Sequence, residues 1–464
     1  MKTNNYKIIL GVALLLGASA LSAQTLNGAY FMERMPVRHT LNPAFVAKSG
    51  YISLPTIGGT KIGINSNMGV STFLFPEGDK LLTGLHPNIS SEKFLGKLSD
   101  INSLEVGLNM NILSFGFRAW GGSNSFEISL KSQTGVYLPK DLFAFIKNGN
   151  SETGTTQYDL GNLSVSTNNY VEIALGHAHQ INDRWTVGAK LKGLVGVARA
   201  KLNIEKMTLT MSEDEWKIKQ SGYLEIQTPI EAIRLKPNND GSSDIDFNDN
   251  IAFDSFNIPG YGGAIDLGAT YKPIKNLTLS AAVTDIGFLQ WKTRRAETDP
   301  SKEFSFKGFE NLGGDNFDQE LENMGDDLEE MIKLYDKGTS NRSIWLAPTM
   351  RIGAEYAILR NKISFGLLSS TYFDTPKTWT EAMLSVNFRP VSWFHATIDG
   401  SLSTLGHSAG LILHFCPKGF NFFIGSDYIV NTFGKQGIPV NSVRFNVNFG
   451  VNFTFGFEKQ KKNV

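Results

Sequence analysis

One stretch near the C-terminus leaves few folds open. Val443, Phe445, Val447, Phe449, Val451, Phe453, Phe455 and Phe457 alternate, residue by residue, with Arg444, Asn446, Asn448, Gly450, Asn452, Thr454 and Gly456. A helix repeats every 3.6 residues and cannot gather that apolar set onto one side. A strand does so because successive side chains leave on opposite faces. The same period of two recurs along the chain. Leu104, Val106, Leu108, Met110 and Ile112 oppose Glu105, Gly107, Asn109 and Asn111. Trp185, Val187, Ala189 and Leu191 oppose Thr186, Gly188, Lys190 and Lys192, and Ile265, Leu267, Ala269 and Tyr271 oppose Ala264, Asp266, Gly268 and Thr270. Met350, Ile352, Ala354 and Tyr356 oppose Thr349, Arg351, Gly353 and Glu355.

Two architectures carry such strands. A soluble sandwich or barrel turns the apolar face inward; a membrane barrel turns it outward to lipid around a polar interior. The N-terminus favours the second. Lys2 and Lys7 precede the uncharged run Ile8 to Ala20, which is too short for a membrane-spanning helix. Small residues follow, with Ala18-Ser19-Ala20 or Ala23 before Gln24 as the cleavage point. Residues 1–23 therefore read as a secretory signal peptide. No later stretch is apolar for long enough to be a transmembrane helix. The alternating segments are about ten residues long, which suits a tilted strand crossing a bilayer. Aromatics sit beside short turns at Trp185, Tyr271, Tyr356, Phe388 and Trp393, where an interfacial girdle belongs.

Strands are predicted near 61–74, 103–119, 125–136, 168–181, 184–204, 260–271, 276–290, 343–358, 361–373, 378–389, 393–404, 408–416, 420–430 and 441–457. Their connections alternate short and long, as periplasmic turns and outer loops do in bacterial barrels. The expected fold is all-β: a fourteen-stranded antiparallel transmembrane β-barrel over 49–457. Residues 24–48 precede it as an N-terminal plug or periplasmic segment, and 458–464 follow as a periplasmic tail. The long extracellular excursions are 75–102, 137–167, 205–259 and 291–342. A hairpin from Leu209 to Gln227 is expected within the third. The fourth should hold an acidic helix from Asp315 to Tyr335, with Phe317, Leu321, Met324, Leu328 and Met331 at helical spacing and Lys337-Gly338 ending it. A second short helix is expected after Pro139.

With these elements placed, the chain resembles the FadL-type outer-membrane barrels, a fourteen-stranded family that includes long-chain fatty-acid transporters. More closely, it resembles an uncharacterised outer-membrane family of Gram-negative bacteria related to them. The likeness rests on Leu41-Asn42-Pro43-Ala44-Phe45, on Ile265 to Pro273 (IDLGATYKP) and on Leu279 to Phe288 (LSAAVTDIGF). It implies that Asn42, Pro43 and Ala44 belong to a segment able to plug the lumen. The aromatic last strand, with Phe453, Phe455 and Phe457, itself resembles the signal read by the barrel-insertion machinery.

The polar faces of the strands put Glu105, Glu172, Lys190, Lys192, Asp266, Arg351, Glu355, Arg389, Asp399, Asp427 and Arg444 toward the lumen. Acids and bases are nearly matched there, and the whole chain has 44 Lys+Arg against 44 Asp+Glu. No single-sign field for ion selection or nucleic-acid binding results. Met383, Ile412 and Phe423 also face inward, which permits a hydrophobic passage.

Catalytic and metal patterns are weak. Gly406-His407-Ser408-Ala409-Gly410 matches a nucleophile elbow, but an alternating segment follows where a helix is needed. His177 and His179 share a strand face without a third ligand. Asp244, Asp246 and Asn248 begin like a calcium loop, yet Asp249 replaces the turn glycine and Ser255 the bidentate glutamate. They remain a weak calcium candidate. A single cysteine, Cys416, rules out a disulfide framework. Neither an enzyme nor a cofactor is expected.

The expected location is the outer membrane of a Gram-negative bacterium, with lipid and the insertion machinery as partners. The expected function is FadL-like uptake or binding of a hydrophobic small molecule. The alternative is a non-transport barrel serving as anchor or accessory component of a surface-export or surface-binding assembly.

Overall fold

The pairing of the last strand with the first decides the topology. In the computed structural model, Arg444–Phe455 runs antiparallel to both pieces of the opening strand: Gly50 meets Phe455, Ser53 meets Asn452, Thr60 meets Phe449 and Asn65 meets Arg444. The sheet is thereby closed. The structure describes residues 26–78, 80–150, 154–228, 233–247, 257–307, 317–373, 378–403, 406–429 and 444–456.

Fourteen antiparallel strands make the wall. β1 comprises Gly50–Ser53 and Thr60–Ser66. It is followed by β2 (Ile101–Ala119), β3 (Gly122–Pro139), β4 (Ser164–Gln180), β5 (Trp185–Met211), β6 (Gly260–Ile274) and β7 (Leu277–Thr298). β8 comprises Leu334–Trp345 and Thr349–Ile358, interrupted at Pro348, a residue with no N–H for the ladder. β9 (Ile363–Tyr372), β10 (Trp379–Val391), β11 (Phe394–Ser403), β12 (Gly406–Phe415), β13 (Phe420–Ser426) and β14 (Arg444–Phe455) complete the circuit. Each strand pairs with its sequence neighbour, so every wall strand between β1 and β14 has partners on both sides. Closure of this kind satisfies backbone groups that lipid could not.

The apolar face points outward. Leu191, Leu367, Leu384 and Ile398 are 64%, 58%, 60% and 53% exposed, values that only a lipid-facing belt accommodates at such density. Trp185 stacks on Tyr271 at 4.5 Å beside the short β4–β5 and β6–β7 turns, and Tyr356 and Trp393 are exposed at the same rim. Trp345 packs edge-on to Phe288 at 5.8 Å on the wall toward the long-loop side. No helix among the described residues is long and apolar enough to cross a membrane.

Several boundaries depart from the sequence expectation. The first strand stops at Ser66; Val70–Phe73 is a helical turn and Leu74–Glu77 pairs with Lys80–Thr83 in a separate small hairpin. Ser91–Leu95 is a further helix, capped by the Ser90 side chain accepting from the Lys93 N–H. Phe75, Ile89, Phe94 and Leu98 bury one another in this outer cluster, and the tertiary packing overrides the local period of two. β5 and β7 run on to Met211 and Thr298, well beyond the bilayer. β5 turns into Trp216–Gln227, which realises the expected hairpin. The helix after Pro139 spans Lys140–Asn148. The acidic helix spans Phe317–Ile332; Tyr335 and Lys337-Gly338 lie in β8, so the expected helix end was placed too late. Asp315 lies outside the described residues, as do residues 1–23, expected as a signal peptide, Phe457 and residues 458–464.

Candidate functional site in the barrel lumen

Residues 26–45 occupy the interior of the barrel. Two short 3₁₀ turns, Asn27–Phe31 and Pro36–Thr40, are almost wholly buried against the inward faces of many strands. Polar contacts hold them from all sides. The Asn27 and Gly28 N–H groups donate to Asp427 at 2.6 and 3.0 Å. The Asn27 amide donates to Glu381 and to the Tyr372 hydroxyl, and accepts from Arg351. Arg389 donates to the Phe31 carbonyl at 2.6 Å, Arg34 to the Ser392 carbonyl at 2.7 Å, and Lys190 lies 3.0 Å from His39 Nδ1. Glu33 and Lys48 pair where the segment leaves the interior. Burial pushes the Glu33 carboxyl up, but Lys48, with Arg389 and Arg38, more than reverses this and holds it at about 2.

Apolar contacts fill the remaining space. Leu26, Ala29, Tyr30, Phe31, Met32, Met35, Val37, Leu41 and Phe45 form one cluster with Leu368, Met383, Ile412 and Phe423 of the wall. Inward apolar residues of a polar barrel thus meet an apolar segment. A narrow cleft remains beside His39, Pro43, Phe45 and Tyr51.

Asn42-Pro43-Ala44 is pressed to the wall at two glycines. The Asn42 carboxamide oxygen accepts from the Ala44 N–H, and its nitrogen donates to the Tyr30 hydroxyl and the Ala281 carbonyl. A Cβ on Gly188 would stand 2.2 Å from the Pro43 oxygen, and one on Gly268 2.1 Å from Asn42 Oδ1. No side chain fits there, so glycine on β5 and β6 is what permits the approach.

The inward charges are grouped around this segment. Lys192 reaches Asp266 at 2.8 Å, Asp285 at 2.6 Å and Glu172 at 3.6 Å. Arg389 pairs with Glu355 at 2.6 Å, Arg444 with Glu381 at 3.2 Å, and Lys190 with Glu127 at 3.6 Å. Glu105 is half-buried and accepts from the Tyr137 hydroxyl. Asp399 is buried beside Gly28 with neither oxygen hydrogen-bonded.

Asn27, Glu127, Asp285, Glu381 and Tyr428 escaped the sequence reading. Asp285 is instructive. Leu279, Ala281 and Val283 face outward, so strict alternation would put Asp285 in lipid. It instead adopts φ 65° in a bulge, donates its N–H to Asp266 and reaches Lys192. A carboxylate at a lipid-facing parity position was the available signal.

The other candidates resolve simply. Ser408 lies within β12 and shares a hydrogen bond with Ser401 Oγ, so no nucleophile elbow forms. His177 and His179 lie on the outer face of β4, with His177 Nδ1 2.8 Å from Asn124. Asp244 and Asp246 are in a strand whose backbone register places Lys236 and Arg234 opposite them, not in a calcium loop. Asn248, Asp249 and Ser255 fall outside the described residues.

A closed antiparallel barrel with apolar side chains outward and paired charges inward is a transmembrane β-barrel of the outer-membrane type. The chain belongs to a family of unknown function, DUF5723, whose sequence profile matches residues 43–427. Among solved structures it is similar to the toluene transporter TbuX of Ralstonia pickettii, with 9% identity over 92% of this chain and 95% of that one, at a TM-score of 0.41. It is similar to the toluene transporter TodX of P. putida, with 9% identity over 96% and 97% and a TM-score of 0.40. It is also similar to a FadL homologue of Pseudomonas aeruginosa, with 10% identity over 95% and 99% and a TM-score of 0.38. No curated protein sequence matches the chain.

Proposed function

We propose that the chain is an outer-membrane channel that binds and admits a hydrophobic small molecule and is kept closed by its N-terminal segment. The reading includes export by a signal peptide cleaved before Gln24. The observation that carries it is the apolar seam between residues 26–45 and the wall residues Leu368, Met383, Ile412 and Phe423. Displacing the segment uncovers those side chains and leaves an apolar track through an otherwise charge-paired lumen. Such a track suits an apolar ligand and gives no field to concentrate ions of one sign. Asn42, Pro43 and Ala44 then act as the hinge that seats the plug on Gly188 and Gly268.

Titration of the detergent-purified protein with a panel of hydrophobic ligands, long-chain fatty acids and small aromatics among them, tests this. Saturable binding that Phe423→Asp abolishes is expected. Absence of saturable binding across the panel would transfer the assignment to the accessory-barrel alternative.

A further inference from the structure

At the short-turn rim, the start of β11 meets the end of β12, and the register pairs His395 with His414. Both side chains face inward, 5% and 0% exposed, with ring centroids 5.5 Å apart at 78°. Cys416 lies two residues beyond His414. Its N–H bonds to the Trp393 carbonyl at 2.7 Å, which continues the ladder and brings Sγ to the same inner face. One nitrogen from each histidine and the sulfur all lie within 4.8 Å of one another, and all three residues are buried. Two imidazoles and a thiol therefore converge where β11 and β12 meet.

Their hydrogen bonding is incomplete. Neither His395 Nδ1 nor His414 Nδ1 has a partner. Unpaired ring nitrogens in a buried site are costly, and native structures rarely leave two side by side. Cys416 has a long contact, 3.6 Å, to the Ser392 carbonyl, and the Arg34 guanidinium, which favours a thiolate, lies beside it. His414 Nε2, by contrast, is 2.7 Å from the Asn421 amide. Rotating that amide so that Oδ1 replaces Nδ2 lets it accept the Nε2 proton and frees the Nδ1 lone pair, at the loss of the amide's 3.3 Å bond to the Arg34 carbonyl. Ligating histidines are commonly fixed by such an outer partner.

We propose that His395, His414 and Cys416 bind a borderline or soft transition-metal ion, Zn²⁺ in the first instance, with Asn421 as the positioning residue. Two neutral imidazoles and a thiolate are a donor set that favours Zn²⁺ over hard cations, which prefer oxygen. Bond lengths near 2.0 Å to nitrogen and 2.3 Å to sulfur place ligand atoms about 3.3–3.8 Å apart. Side-chain rotation of about an ångström closes the present spacing to that value. Binding releases the thiol proton to solvent and leaves a fourth position for water. The site lies beside the Glu33–Arg34 turn of the N-terminal segment: Arg34 donates to the Ser392 carbonyl, and the Asn421 carboxamide lies 3.3 Å from the Arg34 carbonyl.

The full-length protein, purified in detergent without a histidine tag, is loaded with Zn²⁺ or Co²⁺ and dialysed. One Zn²⁺ per chain is expected, and Co²⁺ should give the near-ultraviolet charge-transfer band of a thiolate ligand. Cys416→Ser should remove that band. His395→Gln should weaken Zn²⁺ binding by on the order of 100-fold, and Asn421→Ala by roughly 10-fold. His177→Ala/His179→Ala should leave binding unchanged. Faster gel migration before boiling identifies the variants that retain the barrel. Failure of the wild type to retain Zn²⁺, or equal retention by folded Cys416→Ser and His395→Gln variants, would overturn the proposal.

Discussion

Asp427 holds both ends of its carboxylate to a backbone 400 residues away: Oδ2 accepts from the Asn27 N–H at 2.6 Å and Oδ1 from the Gly28 N–H at 3.0 Å. This contact ties the described start of the chain to the loop after β13, and it fixes the first 3₁₀ turn inside the barrel. Asp427→Ala leaves two buried N–H groups unpaired, at about 1–3 kcal/mol each. The segment should loosen while the barrel stays folded. Limited proteolysis from the periplasmic side of reconstituted vesicles should cleave within residues 26–45 of the variant and spare the wild type.

Arg389 bridges the wall to the segment through Glu355 and the Phe31 carbonyl. Arg389→Ala strands a buried carboxylate, a loss of about 3–5 kcal/mol. The temperature at which the folded gel band converts to the unfolded one should fall. Glu355→Gln/Arg389→Met should recover much of it, because no isolated charge remains. Equal losses in the single and double variants would contradict the ion-pair account.

Gly188 and Gly268 make a purely steric prediction. Alanine suits a strand, so Gly188→Ala and Gly268→Ala should insert normally. The added methyl groups have no room beside Pro43 and Asn42. Each variant should therefore raise ion leakage from loaded liposomes, and the double variant should raise it further. Unchanged leakage would mean that the Asn-Pro-Ala turn does not seal the wall.

These residues mark how far the sequence could be read. Period-two alternation fixes side-chain parity, so the strand set, the closing role of β14 and the outward Leu and Phe belt follow from local pattern alone. Parity does not say which inward residues meet. Lys192 and Asp266 are diagonal neighbours across β5 and β6, where Lys190 stands opposite Asp266, but Asn27 and Asp427 meet only because the chain folds back into its own barrel. Asp285 reversed its parity through a bulge. Residues 70–73 left the strand pattern because Phe75 and Phe94 bury each other outside the wall. His414-Phe415-Cys416 carried a readable signal, two ligand types on one strand face, but the third ligand came from a neighbouring strand whose register was not yet known.

The C-terminal strand closes the barrel, since Arg444 to Phe455 pairs with β1 and β13 at once. Removing residues 455–464 takes away Phe455 opposite Gly50 and shortens the aromatic face. The truncated protein should fail to reach the membrane fraction in heat-modifiable form. Its normal insertion would show that closure does not depend on this end.

Single-channel recording in planar bilayers tests the closed-lumen account most directly. The intact protein should conduct ions poorly, and a variant lacking residues 25–40 that retains heat-modifiable migration should form a stable, larger pore. Porin-like conductance of the intact protein, unchanged by that deletion, would contradict it.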